Sequence, residues 1–163
     1  MSESRNDMKQ LANFDRVYFV GIGGIGMSAL ARYFHFRGKR VAGYDRVETS
    51  LTKELSAEGI DIHYVDLGEE LPSEFQDPTH TLVVYTPAIK ELGELAFFRR
   101  SNFTILKRAE VLGALTLTYQ GLCVAGTHGK TTTSSLLAHL LTESNEGCTA
   151  FLGGIATNFA SNL

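Results

Sequence analysis

The chain has 163 residues, 44% of them apolar and 20% charged, which is enough to bury a globular core and excludes a disordered or membrane-embedded composition. Its 15 basic and 18 acidic side chains leave a net charge of −3, which excludes the basic footprint that nucleic acid or an anionic membrane surface requires. Any phosphate the protein holds must therefore be held by local loops.

Residues 1–15 are polar and of mixed charge, without a signal-peptide core, and are expected to form a flexible N-terminus. Arg16–Val20 is a short apolar, β-prone run and predicts the first strand. Helical spacing of apolar residues follows from Met27 to Phe36, with Gly38 as its C-terminal cap. Arg40–Tyr44 predicts a second strand, and Ser50 an N-cap for a helix over 51–58 closed by Gly59. Ile60–Val65 predicts a third strand. The acidic, proline-bearing stretch 67–80 reads as a loop with one helical turn, and Thr81–Tyr85 as a fourth strand stopped by Thr86-Pro87. A helix over 91–101 should turn Leu92, Leu95, Ala96 and Phe98 inward. Phe103–Leu106 and 109–117 complete a fifth strand and its helix. Tyr119-Gln120-Gly121 reads as a hinge. Strands at 122–125 and 148–152, around a helix over 133–143, then begin a second unit. The alternation of strand and helix predicts an α/β fold with a Rossmann-like parallel sheet, followed by the beginning of a second, phosphate-loop unit.

Two glycine-bearing turns carry the chemistry. Gly21-Ile22-Gly23-Gly24-Ile25-Gly26 satisfies G-x-G-x-x-G between a strand and a helix. Gly21 allows the tight turn, Gly23 lets a diphosphate approach the backbone, and Gly26 permits close helix–strand packing. Asp45 follows at the end of the second strand, where a carboxylate either accepts from a ribose hydroxyl or caps a turn. Alone, this pattern fits NAD as well as any other diphosphate ligand. The second turn is Gly126-Thr127-His128-Gly129-Lys130-Thr131-Thr132. Position 124, where the longer phosphate-loop pattern has its first glycine, is Val124. Amides of the turn and of the first helical residues would face an anion, Lys130 would add a point charge, and the Thr131 hydroxyl could complete a magnesium shell on the same phosphates.

Cys123 and Cys148 sit in apolar runs without C-x-x-C spacing and are expected to be buried free thiols in a reducing compartment. No apolar run reaches the ~18 residues of a spanning helix, so a cytoplasmic protein is expected.

Five stretches resemble, in order, the Mur ligases of bacterial peptidoglycan synthesis. They are Phe19-Val20-Gly21-Ile22-Gly23-Gly24-Ile25-Gly26-Met27-Ser28, Gly43-Tyr44-Asp45, Thr86-Pro87-Ala88-Ile89, Lys107-Arg108-Ala109-Glu110-Val111-Leu112 and Ala125-Gly126-Thr127-His128-Gly129-Lys130-Thr131-Thr132-Thr133. Tyr44 stands where that family usually has serine, and Lys107 where arginine is common. The resemblance implies an ATP-dependent ligase of three domains. Residues 16–119 would hold UDP-N-acetylmuramic acid, 120–163 would begin the ATP-binding domain, and the amino-acid domain would lie beyond this chain. The member implied joins L-alanine to the sugar's lactyl carboxylate through an acyl phosphate. A tripeptide-adding relative and an NAD-binding module remain alternatives. The resemblance further implies that Gly21 to Gly26 hold the UDP diphosphate through the amides of Ile22 to Gly26. Asp45 would lie near the uridine, and Thr86 and Ala88 would line the crevice. Arg108 would meet the diphosphate or sugar, or else be a solvated charge at a helix start. Gly126 to Thr132 would bind ATP, with Lys130 and Thr131 acting on its phosphates and magnesium. His128 would be either a catalytic base or a loop-shaping residue. ATP and magnesium are thus implied for the whole enzyme, with neither tightly bound by this chain alone.

Overall fold

A computed structural model describes residues 11, 13–157, 159 and 161–163. In chain order its elements are β1 (Arg16–Val20), α1 (Ile25–Phe36), β2 (Arg40–Tyr44), α2 (Ser50–Ala57), β3 (Asp61–His63), a 3₁₀ turn (Ser73–Phe75), β4 (Thr81–Tyr85), α3 (Gly93–Arg100), β5 (Thr104–Lys107), α4 (Arg108–Thr116) and α5 (Lys130–Glu143). The five strands form one parallel sheet in the order β3-β2-β1-β4-β5. This is the expected α/β architecture.

The sheet is buried on both faces, as a parallel sheet built from βαβ units must be. Val17 and Phe19 of β1, Val41, Leu82 and Val84 point toward α1, meeting Leu30 and Phe34 there and Val111 and Leu115 of α4. Tyr18 and Val20, with Ala42 and Val83, point the other way, onto Phe75, Phe98 and Phe103. The period-two alternation of side chains thus assigns each strand residue to one of two cores. Leu11 and Phe14 pack into the α1-side core, whereas residues 1–10 and 12 of the expected flexible N-terminus lie outside the described residues.

Several boundaries differ from expectation, each for a local reason. α1 begins two residues early, so Ile25 and Gly26 belong to its first turn. α2 is capped by Thr49, not Ser50: the Thr49 side chain accepts from the Thr52 amide and the Thr52 side chain from that of Thr49. β3 is only Asp61–His63, since it pairs with β2 alone. In α3, Ala96 is exposed and Glu94 takes the buried place instead. The runs 122–125 and 148–152 are not strands: a strand persists only in a ladder, and neither pairs with another strand among the described residues. For the same reason Cys123 and Cys148 are exposed free thiols rather than buried ones.

Glu94 merits an explanation because it is fully buried in an otherwise apolar layer. Its Oε1 accepts from the Leu67 amide at 3.0 Å, and its Oε2 lies 2.6 Å from the Tyr18 hydroxyl oxygen. The same hydroxyl lies 2.6 Å from His63 Nε2, while His63 Nδ1 faces the Val65 carbonyl at 2.8 Å. A carbonyl only accepts, so Nδ1 carries a proton. One hydroxyl proton cannot serve both Glu94 and His63 Nε2, so a second proton resides in the triad. Burial raises the Glu94 carboxyl above its ordinary range, against the lowering effects of Tyr18 and the Leu67 amide, and favours the proton there. Next to it, desolvation would raise Asp66, but the amides of Gly93, Gly68 and Glu94 outweigh it and leave its pKa lowered. Asp66 is thereby a remote cap for α3.

The linkage sign for Glu94 follows from a folded pKa above the unfolded one. Its stabilising contribution is complete below the ordinary carboxylate range and is lost as pH rises through the raised folded value. Glu94→Gln should therefore flatten the fall in unfolding free energy as pH rises above the ordinary carboxylate range, while Glu94→Ala, which strands the Leu67 amide and Tyr18 hydroxyl, should cost about 3 kcal/mol. Urea denaturation across that rise in pH checks this; an unchanged slope in the glutamine variant would contradict the placement of the proton.

Candidate functional site

Every strand of a parallel sheet ends at the same edge, and the chain builds its crevice where the strand order reverses. Here that point is β1, flanked by β2 on one side and β4 on the other. The glycine loop leaves β1 there. Gly21 has φ +89°, a left-handed conformation that turns the chain at once. The amides of Gly21 and Ile22 donate to the Tyr44 carbonyl at 2.8 and 3.0 Å, pinning the turn to the end of β2.

Four side chains, Thr86, Asp45, Thr52 and Arg108, converge on the three glycines of the motif. A methyl group on Gly21 would lie 2.6 Å from Thr86 Cγ2, at the end of β4. One on Gly23 would lie 2.8 Å from Asp45 Oδ2 and 2.9 Å from Thr52 Cγ2. One on Gly26 would lie 2.7 Å from Arg108 Nη1, at the start of α4. The structure therefore brings Gly21 to Gly26, Asp45, Thr86 and Arg108 together. Ala88 is exposed in the Thr86–Ile89 turn beside them, its amide 3.5 Å from Thr86 Oγ1.

The donors available to an anion are fewer than the motif suggests. The Gly21 and Ile22 amides are spent on Tyr44, and Ile22 is fully buried, so these residues shape the loop rather than present donors. The Gly23 amide donates to Asp45 Oδ2 at 2.7 Å, and Val47 donates to Oδ1 at 3.2 Å. The Gly24 amide reaches Gly21 O at 3.4 Å. The amides of Ile25 and Gly26, in the uncapped first turn of α1, have no hydrogen-bond acceptor among the described residues. Gly24, the N-cap, supplies no side chain to cover them. The Arg108 guanidinium is exposed and lies against Gly26 without an ion-pair partner among the described residues. A helix N-terminus with an adjacent free cation fits an anionic ligand.

The second loop is built differently. Gly129 caps α5 in a left-handed conformation, φ +76°. Lys130 Nζ donates to the carbonyls of Gly126 at 2.6 Å and Thr127 at 3.2 Å, so the cation is held over its own loop. Thr127, His128, Thr131 and Thr132 are exposed. The first turn of α5, with Lys130 and Thr131, fits a phosphate cradle. Among the described residues no cluster of three or more His, Cys, Asp or Glu side chains could hold a metal ion. Of α5 only Ala138 is buried, and Leu136 and Leu140 are exposed.

Sequence reasoning missed Thr52, which underlies Gly23 and accepts from the Tyr64 hydroxyl at 3.0 Å. It also missed Asn162, fully buried against α1. Thr52 had a findable signal, three residues after Thr49 in a capping pattern. Asn162 had none, because it reaches residues more than a hundred positions away.

The chain is similar in sequence and fold to several known proteins. The model of the Mur ligase family, catalytic domain, matches residues 16–120. A UDP-N-acetylmuramate–L-alanine ligase from Parabacteroides distasonis is 60% identical over 148 residues, covering 90% of this chain and 32% of the relative. One from Porphyromonas gingivalis is 56% identical over 149 residues, covering 91% of this chain and 33% of the relative. The chain thus spans about a third of the length of the curated relatives it matches. Among solved structures, a UDP-N-acetylmuramate–alanine ligase from Thermotoga maritima superimposes with TM-score 0.78 at 34% identity, over 90% of this chain and 34% of its own. A UDP-N-acetylmuramate:L-alanyl-gamma-D-glutamyl-meso-diaminopimelate ligase from Neisseria meningitides gives TM-score 0.79 at 28% identity, over 91% of this chain and 46% of its own. With more than half its length matched by the family model, the chain belongs to the Mur ligase family.

Proposed function

We propose that residues 16–119 bind UDP-N-acetylmuramic acid and that 120–163 open the ATP-binding domain of an ATP-dependent ligase that attaches L-alanine to this sugar. The observation that carries the reading is the pair of phosphate loops on one chain, one cradled by Asp45, Thr86 and Arg108 and one bearing Lys130 and Thr131. An NAD-binding module has no use for the second loop. The tripeptide-adding reading has a near-equal structural match in its favour, but the curated relatives at 56–60% identity are L-alanine ligases.

In this reading the Ile25 and Gly26 amides and Arg108 hold the UDP diphosphate, and Asp45 accepts from the nucleoside. ATP enters with magnesium at Gly126–Thr132. Lys130 would exchange its loop carbonyls for the phosphates, and the Thr131 hydroxyl would hold the magnesium that ATP brings. The lactyl carboxylate attacks the γ-phosphorus and ADP leaves. The amine of L-alanine then attacks the acyl carbon, phosphate leaves, and the amine's proton is lost to solvent or a base. His128 is exposed on the phosphate loop and is better placed to shape it or face substrate than to reach a buried proton. Such an enzyme makes a peptidoglycan precursor in the cytoplasm, where its nucleotide substrates are. Among the described residues no helix is long and apolar enough to cross a membrane.

Titration calorimetry of this chain with UDP-N-acetylmuramic acid, NAD and Mg–ATP in turn is the test. UDP-N-acetylmuramic acid should bind, and more tightly than Mg–ATP. Gly23→Val, which drives a side chain into Asp45 and Thr52, should weaken it by more than tenfold, and Arg108→Ala by about tenfold, the effect of one charge-assisted hydrogen bond. Tight NAD binding with no response to the UDP-sugar would overturn the reading. Phosphate release dependent on L-alanine is not expected from this chain, and its appearance would contradict the assignment of the amino-acid site to other parts of the enzyme.

A further inference from the structure

We propose that the stretches Phe151–Gly154 and Ser161–Asn162 form a strap that couples the two phosphate loops, with Asn162 as its positioning residue. The inference rests on the reading of those loops given above.

Asn162 is fully buried, and every polar atom of its side chain is used. Its Oδ1 accepts from Arg32 Nη1 at 2.5 Å. Its Nδ2 donates to the Ile25 carbonyl at 2.5 Å and to Ser28 Oγ at 2.9 Å. The Ser28 hydroxyl in turn donates to the same carbonyl at 2.9 Å, closing a triangle on the first turn of α1. The amide can sit only one way round, since a guanidinium has donors alone and must face the oxygen. Arg32 is itself 3% exposed and is held by Glu58 through two nitrogens, at 2.7 to 3.0 Å, and by Glu54 at 3.4 Å. Asn162 is therefore set against a fixed cation.

The other end of the strap touches α5. The Leu152 amide donates to the Asn162 carbonyl at 2.9 Å, and the Phe151 ring packs 5.6 Å from that of Tyr33. Just beyond, a methyl group on Gly153 would lie 2.9 Å from Thr131 Oγ1, and one on Gly154 would lie 3.6 Å from Thr131 Cγ2. One strap thus bonds the carbonyl of Ile25, in the first turn of α1, and lies against Thr131, in the first turn of α5. Both contacts fall on the first turn of a helix, where phosphate ligands bind. Ordering either turn orders the strap and lowers the cost of ordering the other, so the two ligands favour each other's binding.

The experiment measures that coupling in this chain: the dissociation constant of UDP-N-acetylmuramic acid alone and with saturating Mg–ATP. Wild type should bind the sugar about fivefold tighter or more in the presence of Mg–ATP. Asn162→Asp keeps the oxygen for Arg32 but removes both donors. It should bring that ratio to about one, with each ligand's own constant changed less than twofold. Gly153→Ala, which pushes on Thr131 from the far end, should also bring the ratio to about one, whatever it does to Mg–ATP binding itself. A wild-type ratio of one, or a ratio the variants leave intact, would overturn the strap while leaving the proposed function standing. Hydrogen exchange without ligand adds a second arm: Asn162→Asp should speed exchange over residues 126–133 and leave β1 and β4 unchanged. If wild type fails to bind the UDP-sugar at all, the functional reading falls and the strap is judged on exchange alone. Unaltered exchange over 126–133 then sinks it, and faster exchange upholds it.

Discussion

The carbonyl oxygen of Tyr44 accepts two hydrogen bonds, from the amides of Gly21 and Ile22, and the shape of the glycine loop depends on that pair. It fixes where β1 must stop, and so where α1 begins. The residue after Tyr44 is Asp45, whose amide is bound by the His63 carbonyl and whose carboxylate binds the Gly23 amide. Three strands are thereby tied together at their carboxyl edge by backbone groups, with one carboxylate as the only side chain involved. Gly21 must accept φ +89° for the turn to reach Tyr44. Buried amides left unpaired cost about 1–3 kcal/mol each, so the turn keeps its shape whether or not a ligand is present.

The two helices that follow the two loops make an instructive contrast. Both begin with a glycine as N-cap, and neither has a side chain covering its first amides. α1 buries an unbroken run from Met27 to Phe34, and its position is set by the sheet. α5 buries Ala138 and leaves Leu136 and Leu140 in water. A helix start binds an anion only as well as the helix is held, because motion of the axis moves every donor at once. The difference between the loops is therefore one of support rather than of chemistry. The contacts of Gly153 and Gly154 with Thr131 are part of the support that the second loop has.

Local signals explain which features were legible in the sequence. The five paired strands, their helices and the turn at 73–75 follow from short-range patterning, and Gly38 and Gly59 take the positive φ that helix ends require. The convergence of Asp45, Thr86 and Arg108 on the glycines was legible because each sits at the end of a strand or the start of a helix. What failed depended on partners. The run 122–125 has strand composition but nothing to pair with, and composition carries no information about ladders. Ala96 was assigned inward by helical spacing, yet α3 rotates to place Glu94 on Tyr18, since a buried carboxyl with a partner on each oxygen outweighs the burial of one methyl group. Asn162 was invisible for the same reason, its partners being Ile25, Ser28 and Arg32.

The sign of the charges around the glycine loop adds a last constraint. A protein of net charge −3 does not draw a diphosphate by its overall field, so the attraction must be local. The Asp45 carboxylate already occupies the Gly23 amide and repels a second anion from that end. Arg108, with no ion-pair partner among the described residues, lies against Gly26 at the other end, beside the two first-turn amides. The loop is therefore polar along its length, acidic toward β2 and cationic toward α4. A ligand with hydroxyl or ring donors at one end and a diphosphate at the other has one favourable way to lie across it. Reversal would set phosphate against carboxylate and leave the guanidinium unpaired. Orientation thus comes from the charge order of two side chains, and the glycines serve to let both come close.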